Sequence, residues 1–464
     1  MTAAAPPHLI DLTIDALDAA GDGIARYRGR PVTVPYTIPG ERVRVRLRPS
    51  RDDHLLADLI DVIESSPHRI VPRCSHFGPP DRCGGCTWQH IAYPEQLRLK
   101  AALVDRLVRD ACPRAPAARP TIPGADEQEP WGYRHKVHFV FGPVPSKNRG
   151  QPGLAMGHYV RGSRRVFAAR ECPVHDERGN ALAFALQKAF ARARVLPADA
   201  GTGTLRSVAI RVGYGTPELM ATLVVSSDAD KRLRAATRHA IEREPPTALH
   251  LNLHPRGDAY IFGRETRKLS GTERMRERVA DASFLISPTA FFQTNVRAAE
   301  ILVRLVLAEI PAGVDVLDLY AGAGLFAIPL ALRGHRVTAV EENRAAVADG
   351  EASQRLNHIA ADRLRFIAQP VEQAIGRIAA DIAVLDPPRE GCSASVIDAL
   401  FGDVRPRRAI YVSCNPEALA RDLAEIVGHR YAIRSIQPVD MFPHTAHVET
   451  VVVMETADRP QRAR

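Results

Sequence analysis

An alternation of short apolar strands with helices, from about residue 291 onward, constrains the fold of this chain most strongly. A helix is predicted over residues 294–310, with Thr294 or Asn295 as its N-cap. The predicted strands after it are VDVLDL (314–319), HRVTAVE (335–341), DIAVL (381–385) and RAIYV (408–412). Strands that alternate with helices form a parallel, doubly wound sheet, so this region is predicted to be α/β.

Two further regions precede this one in the chain of 464 residues. Residues 1–66 contain short strand-like runs separated by Gly and Pro, which predicts a small β-barrel or sandwich. Residues 67–290 mix strand-like and helical runs, including a helix near 93–111, and predict an α+β middle domain. We therefore expect three domains, at 1–66, 67–290 and 291–464.

Composition and charge narrow the function classes. The chain is 45% hydrophobic and 25% charged, which excludes a disordered chain and a fibre. Its start has no signal-peptide pattern, and no apolar run reaches the ~18 residues of a membrane span. We expect a cytoplasmic protein with no membrane partner. The net charge of +9 favours a polyanionic partner such as nucleic acid.

A concentration of arginine lies in the N-terminal module. Between residues 26 and 51 there is one acid, Glu41, and there are eight arginines, at positions 26, 28, 30, 42, 44, 46, 48 and 51. In ERVRVRLR (41–48) the arginines alternate with apolar residues, which places them on one face of a strand. That face is either simply solvated or a surface that follows the phosphates of a nucleic acid.

Four of the seven cysteines form a pattern typical of a metal centre. Cys74, Cys83 and Cys86 lie within 13 positions, and Cys172 is a plausible fourth ligand. An odd cysteine count in a cytoplasmic chain argues against a disulfide framework. Four thiolates suit zinc or an iron–sulfur cluster, and the residues alone do not choose between the two. Buried free thiols are the alternative.

A Gly-rich turn follows the first strand of the C-terminal region. It contains Gly322 and Gly324, and Glu341 ends the next strand 19 residues after Gly322. Glycines there allow close approach of a ligand, and an acid at the end of the next strand is positioned to bind a ribose hydroxyl. The run GAGLFA also fits a dinucleotide pattern, so an NAD-dependent oxidoreductase is one hypothesis.

Two more motifs follow strands of the same region, and a third precedes the last strand. Asp386 begins DPPREG and Cys414 lies in YVSCNP, both at carboxyl ends of parallel strands, where open α/β sheets build active sites. Cys414 is the candidate nucleophile, although a cysteine after an apolar strand is often a buried small hydrophobe. The segment MFPHTAHVE (441–449) holds two histidines and Glu449, which are candidate acid–base groups or metal ligands. A polar loop is the alternative.

Taken together, the ordered motifs AFFQTN (290–295), DLYAGAGLF, DPPREG, YVSCNP and MFPHTAHVETV resemble the bacterial RNA 5-methyluridine methyltransferases. The resemblance implies a Rossmann-like domain that binds S-adenosylmethionine (SAM), and an N-terminal OB-like TRAM barrel that binds RNA. It also implies that Cys414 is the nucleophile and Glu449 the base. Gln293, Tyr320, Glu341 and Asp386 resemble the residues that contact SAM.

The cysteine set Cys74, Cys83, Cys86 and Cys172 resembles the 4Fe–4S ligands of the members that act on ribosomal RNA. We therefore expect a monomeric enzyme that methylates carbon 5 of a uridine, with ribosomal RNA favoured over transfer RNA. The competing hypotheses are an NAD-dependent oxidoreductase and a non-catalytic RNA-binding iron–sulfur protein.

Overall fold

The N-terminal module is a curled six-stranded sheet. In this computed structural model, residues 9–48, 53–79, 82–145, 153–199, 203–256 and 261–457 are described. The strands are β1 (Leu9–Thr13), β2 (Ala16–Leu17), β3 (Gly23–Tyr27), β4 (Arg30–Val34), β5 (Arg42–Leu47) and β6 (Leu55–Glu64), in the order β1-β5-β6-β4-β3-β2. The amide of Asp15, just after β1, donates to the carbonyl of Ile24 in β3 at 2.8 Å, which curls the sheet around an apolar core.

The middle of the chain contains a second six-stranded sheet with helices on one face. Its elements are α1 (Tyr93–Ala111), β7 (Ile122–Pro123), β8 (Lys136–Val144), β9 (Gly153–Gly157), α2 (Glu177–Arg192), β10 (Leu205–Val212), β11 (Leu219–Val225), α3 (Lys231–Ala240), β12 (Ala248–Leu253) and β13 (Glu265–Gly271). The sheet order is β13-β12-β11-β10-β8-β9. Apolar residues of β8, such as Phe139, pack with α2 and α3 and leave the other face for polar side chains.

The C-terminal part is the predicted α/β sheet. A hairpin, β14 (Met275–Val279) and β15 (Ala282–Ile286), leads into it. Its elements are α4 (Val296–Ala308), β16 (Asp315–Leu319), α5 (Ala327–Leu332), β17 (Arg336–Glu341), α6 (Arg344–Leu356), β18 (Leu364–Ala368), α7 (Val371–Ala374), β19 (Ile382–Leu385), α8 (Ala394–Ile397), β20 (Arg408–Ser413), α9 (Pro416–Gly428), β21 (Tyr431–Asp440) and β22 (Glu449–Thr456).

The sheet order is β18-β17-β16-β19-β20-β22-β21-β7. Strands β16 to β20 are mutually parallel, whereas β22 runs antiparallel between β20 and β21. The insertion of the last strand at this position brings its first residue, Glu449, to the edge at which the parallel strands end. Asn295 is the N-cap of α4, since its side chain accepts a hydrogen bond from the amide of Ala298.

The predicted domain limits stay a prediction, and several elements pack across them. Helix α1 and the β14–β15 hairpin belong to the predicted middle region, yet both pack against elements of the C-terminal sheet. The short strand β7 even joins that sheet beside β21. No helix in the described part of the chain is long and apolar enough to cross a membrane.

Candidate active site

Four predicted site residues lie at one edge of the C-terminal sheet. Tyr320 directly follows β16, Glu341 ends β17, Asp386 directly follows β19, and Cys414 directly follows β20. Because these strands are adjacent and parallel, their carboxyl ends meet at the same edge. The structure therefore brings together residues that are separated by up to 94 positions in the sequence (414 − 320).

The Gly-rich turn has a backbone shape that suits a ligand cradle. Tyr320, Gly322 and Gly324 all have positive φ, at 61°, 55° and 86°. A side chain at Gly322 would meet no atom within 4 Å, so open space lies above this turn. Glu341 accepts a hydrogen bond from the amide of Gly322 at 2.9 Å, which joins β17 to the turn. A non-glycine residue with positive φ is strained, and such strain concentrates at binding sites.

The site holds more acidic than basic side chains. Burial raises the pKa of Asp386 to about 7, and burial together with Asp386 raises the pKa of Glu449 to about 8. Burial and the neighbouring Asp386 also raise the pKa of Asp318, in β16, well above its usual range. Glu341 adds to the repulsion on Asp318. A group of carboxyls that resist ionisation in one pocket suits a cationic ligand, which would pay for their ionisation.

Cys414 lies half-buried within reach of this charge. Burial, then Glu449 and Asp386, raise the pKa of its thiol to about 11, while Arg389 acts in the opposite direction. A thiol with such a pKa is a poor nucleophile at neutral pH. A positive charge brought close to Cys414 would lower this pKa.

Arg389 is a functional candidate that the sequence analysis did not single out. It lies in the DPPREG motif, and its Nη2 is 3.1 Å from Nδ1 of His447. Burial and nearby cations lower the pKa of His447 to about 4, so this imidazole is neutral and accepts from the guanidinium. The carbonyl of Arg389 accepts from the Asn415 side chain at 2.9 Å, which joins the motif to the start of α9. Its basic side chain beside two acidic motif residues was the available signal.

The segment 441–448 is held from both sides. At its start, Lys100 on α1 and Asp440 at the end of β21 form a fully buried ion pair of 2.5 Å, and Lys100 also donates to the carbonyl of Phe442. His444, a predicted acid–base candidate, stacks on Trp131 with ring centroids 4.0 Å apart. Its amide donates to the Gln96 side chain at 2.8 Å. His444 therefore holds the loop in shape, while Glu449 lies beyond it.

Gln293 lies in the segment that enters α4. It is buried, and no hydrogen bond of its side chain is seen among the described residues. Two positions earlier, Phe291 is 71% exposed, a functional candidate that the sequence analysis missed. Phe291 is a candidate because its aromatic ring is exposed close to the buried side-chain amide of Gln293. The side chain of Asn295 donates to the carbonyls of Gly124 and Met441, which fixes the segment against the 441–448 loop.

All four predicted metal ligands line one cavity. Cys74, Cys83, Cys86 and Cys172 surround it together with Arg134 and other side chains, and all seven cysteines of the chain are free. Among the described residues, no three His, Cys, Asp or Glu side chains are grouped as a site for a metal ion. The cavity adjoins the active-site loop, because the amides of Thr87 and Trp88 both donate to the carbonyl of His444.

Fewer arginines on the face of β5 lack an acidic partner than the sequence suggested. The alternation is confirmed, with Arg42, Arg44 and Arg46 exposed and the valines between them buried. Acids on the neighbouring strands neutralise most of this face, however. Arg42 pairs with Glu64, Arg44 with Asp11 and Arg48 with Asp58. Arg51 lies outside the described residues. The local sequence could not show these pairs, since the acids come from β1 and β6.

Comparisons with known proteins agree with this geometry. Residues 217–457 match the family model described as tRNA (uracil-5-)-methyltransferase, and residues 10–68 match the TRAM domain of tRNA (uracil(54)-C(5))-methyltransferase. An uncharacterized RNA methyltransferase of Gloeobacter violaceus is 36% identical over 461 residues, covering 96% of each chain. One from Thermosynechococcus vestitus is 35% identical over 456 residues, covering 97% of this chain and 98% of the relative.

A solved structure also matches nearly the whole chain. The tRNA (uracil-54, C5)-methyltransferase of Pyrococcus abyssi, in complex with S-adenosyl-L-homocysteine, has a TM-score of 0.76 and 25% identity. The match covers 96% of this chain and 99% of that one. These likenesses confirm the predicted fold class, an α/β methyltransferase fold with an N-terminal TRAM domain.

Proposed function

This chain belongs to the SAM-dependent RNA (uracil-5-)-methyltransferase family, and on that premise we propose that it methylates carbon 5 of a specific uridine through a covalent adduct with Cys414. Membership of the family sets aside the NAD-dependent oxidoreductase and the non-catalytic protein. The observation that carries the proposal is the placement of Cys414 and Glu449 at one sheet edge. Ser413 pairs with Thr450, so the two residues flank this pair on neighbouring strands, and Glu449 raises the pKa of the Cys414 thiol.

The SAM site is proposed at the Gly-rich turn and the carboxyl cluster. Its residues are Gln293, Tyr320, Gly322, Gly324, Glu341 and Asp386. The open space above Gly322 accommodates a ligand, and Glu341 is positioned to accept from ribose hydroxyls. SAM has a positively charged sulfonium, which complements the surplus of carboxyls. Its arrival would favour their ionised forms and lower the pKa of Cys414.

SAM affinity should therefore depend on pH. In the free protein the pKa of Asp386 is about 7 and that of Glu449 about 8, so both are largely protonated at pH 6. A cation favours their deprotonated forms, so binding releases protons and tightens as pH rises from 6 to 8.5. The limit for one carboxyl is about tenfold per pH unit.

Calorimetric titration of SAM across this pH range measures the effect. S-Adenosylhomocysteine lacks the sulfonium but keeps the amino acid part, so it is the matched control and should show a weaker dependence. Asp386→Asn should reduce the slope for SAM. Equal pH slopes for the two ligands would contradict the electrostatic account.

The mechanism follows from the chemistry of uracil, whose carbon 5 is a poor nucleophile. The Cys414 thiol loses its proton to solvent, and the thiolate Sγ adds to carbon 6, which makes carbon 5 nucleophilic. SAM supplies the methyl group that carbon 5 takes up. Glu449 then removes the proton from carbon 5, the C5–C6 double bond re-forms and the carbon–sulfur bond breaks. A carboxylate whose pKa is about 8 is a suitable base at neutral pH.

Substitution of the two residues separates these steps. Cys414→Ala should abolish both turnover and any covalent RNA complex. Glu449→Gln should transfer the methyl group and then stall, so a methylated adduct should accumulate as a shifted band on a denaturing gel. RNA with 5-fluorouridine should trap the wild-type enzyme similarly, because fluorine does not leave as a proton does.

The matched control is Cys112→Ala, which removes a buried thiol at the end of α1 and should retain adduct formation and turnover. Peptide mapping of the trapped complex should find the RNA on Cys414. An adduct on Cys392, or full activity of Cys414→Ala, would overturn the mechanism.

Ribosomal RNA is the proposed substrate, with transfer RNA as the second candidate. The four-cysteine set supports the first, because it resembles that of the members that act on ribosomal RNA. The Pyrococcus abyssi neighbour, a tRNA enzyme, favours the second. We also propose a monomer, and the RNA substrate supports a cytoplasmic location.

The cysteine cavity is proposed to hold a 4Fe–4S cluster that supports the active-site loop. The residues present fit such a group, because four free thiols line one cavity. A bound cluster supplies a rigid cross-link among its ligands. Thr87, adjacent to Cys86, donates to the carbonyl of His444, so order at the cavity reaches the loop directly.

Anaerobically purified protein should contain about four irons and acid-labile sulfide, as the proposed 4Fe–4S cluster requires. Cys83→Ser should lose iron and lower the melting temperature, because metal binding and folding are coupled. Cys112→Ser, which changes a buried cysteine outside the cavity, is the control and should keep its iron. One zinc and no iron in the wild-type protein would refute the cluster.

A further inference from the structure

Two positively charged side chains lie side by side on the face of the middle sheet that α2 and α3 do not cover. Lys136 on β8 and Arg211 on β10 are directly opposite each other in the antiparallel register. Residues at such positions point to the same face. Both donate to the carbonyl oxygen of Ala290, at 3.4 Å from Lys136 Nζ and 3.0 Å from Arg211 Nη2.

Neither side chain forms an ion pair within the part of the chain that the structure describes. Glu277 and Asp349 attract Arg211 only from a distance, and their oxygens accept hydrogen bonds from other groups. Arg211 is buried, and its Nε has no hydrogen-bond partner. A buried guanidinium beside a half-buried ammonium with no counter-ion is costly, and a bound anion would relieve that cost.

The pKa values agree with this geometry. Burial, together with Arg211, lowers the pKa of Lys136 to about 7, and burial lowers that of Arg211 to about 10. His138, next along the same face of β8, has its pKa lowered to about 4 by burial and by Lys136, and it bonds to Ser207 instead. The neighbouring histidine therefore adds no charge to the pair.

The surroundings indicate which anion fits. Ala290, whose carbonyl receives both donors, immediately precedes the exposed Phe291 and lies three residues before Gln293. The ring of Phe262 lies 5.8 Å from Lys136 Nζ. Cations interleaved with aromatic rings are typical of surfaces that bind single-stranded nucleic acid, with phosphates on the cations and bases on the rings.

We propose that Lys136 and Arg211 bind one phosphate of the RNA backbone next to the target uridine. This inference rests on the proposed function and adds to it a contact on the middle sheet. The phosphate replaces the missing counter-ion, and the shared carbonyl of Ala290 sets the two donors at a fixed separation. The contact would position the strand beside the segment that leads to Gln293.

The test uses the full-length protein saturated with S-adenosylhomocysteine and a fluorescein-labelled 12-nucleotide oligouridylate. Lys136→Met should weaken binding about tenfold, as expected for the loss of a charge-assisted contact. The slope of log affinity against log salt should become shallower by about 0.7, the value for one phosphate of a single strand. Fluorescence anisotropy from low to moderate salt measures both, and Lys136→Arg should restore both.

A control variant and a melting temperature distinguish phosphate binding from a structural role of Lys136. Lys188→Met removes an exposed lysine of α2 on the opposite side of the sheet, and it should leave affinity and slope unchanged. Lys136→Met should also keep or raise the melting temperature of the free protein, because it removes an uncompensated charge. If Lys136 had only a structural role, the substitution would lower the melting temperature.

Unchanged RNA affinity and salt slope in Lys136→Met would refute the phosphate site while the methyltransferase proposal stands. A loss of SAM affinity in Lys136→Met, with an unchanged salt slope of RNA binding, would also refute the phosphate site. Lys136 and Arg211 would then bind the carboxylate of SAM instead. If the wild-type protein does not bind the oligouridylate at all, both the phosphate site and the proposed RNA function fail.

Discussion

The buried ion pair between Lys100 and Asp440 fixes the segment on which the active site depends. Both side chains are fully buried, and each bonds to Phe442 as well, at the start of the loop that leads to Glu449. Breaking such a pair by removing one partner typically costs about 3–5 kcal/mol, because an unpaired charge stays buried. Helix α1, which comes early in the chain, thereby holds the last loop of the catalytic sheet.

The other contacts of the 441–448 loop also come from segments early in the chain. The carbonyl of His444 accepts hydrogen bonds from the amides of Thr87 and Trp88, and the imidazole ring of His444 stacks on Trp131. These residues flank the cysteine cavity, so the barrel, the cysteine segment and the catalytic sheet share one structural junction. Trp88 completes it by donating to the carbonyl of Gly21 in the N-terminal module at 2.8 Å. This junction connects the cysteine cavity to the loop that leads to Glu449.

Hydrophobic patterns within short segments of the sequence correctly predicted several helices and strands. The helix near 93–111 and the cap at Asn295 are confirmed, as are the strands that carry the Gly-rich turn and Cys414. Those predictions needed only hydrophobic periodicity and turn chemistry, which act over a few residues. The assignment of roles to individual site residues remains a prediction, which the geometry supports.

Features that join distant segments were not predictable in this way. The neutralised arginines of β5, the bond from Arg389 to His447 and the paired cations Lys136 and Arg211 all depend on strand register between segments far apart in sequence. The placement of β22 between β20 and β21 is of the same kind, and it positions Glu449. His444, for which the sequence left open an acid–base role or a place in a polar loop, stacks on Trp131 as part of the packing.

The most direct test of the account is to map 5-methyluridine in cellular RNA. Ribosomal and transfer RNA from a strain that lacks this gene would be digested and analysed by mass spectrometry, with wild-type or Cys414→Ala protein returned to the strain. The account predicts that one 5-methyluridine of large-subunit ribosomal RNA disappears, returns with the wild-type protein and stays absent with Cys414→Ala. Unchanged 5-methyluridine in both RNA classes after deletion would contradict it.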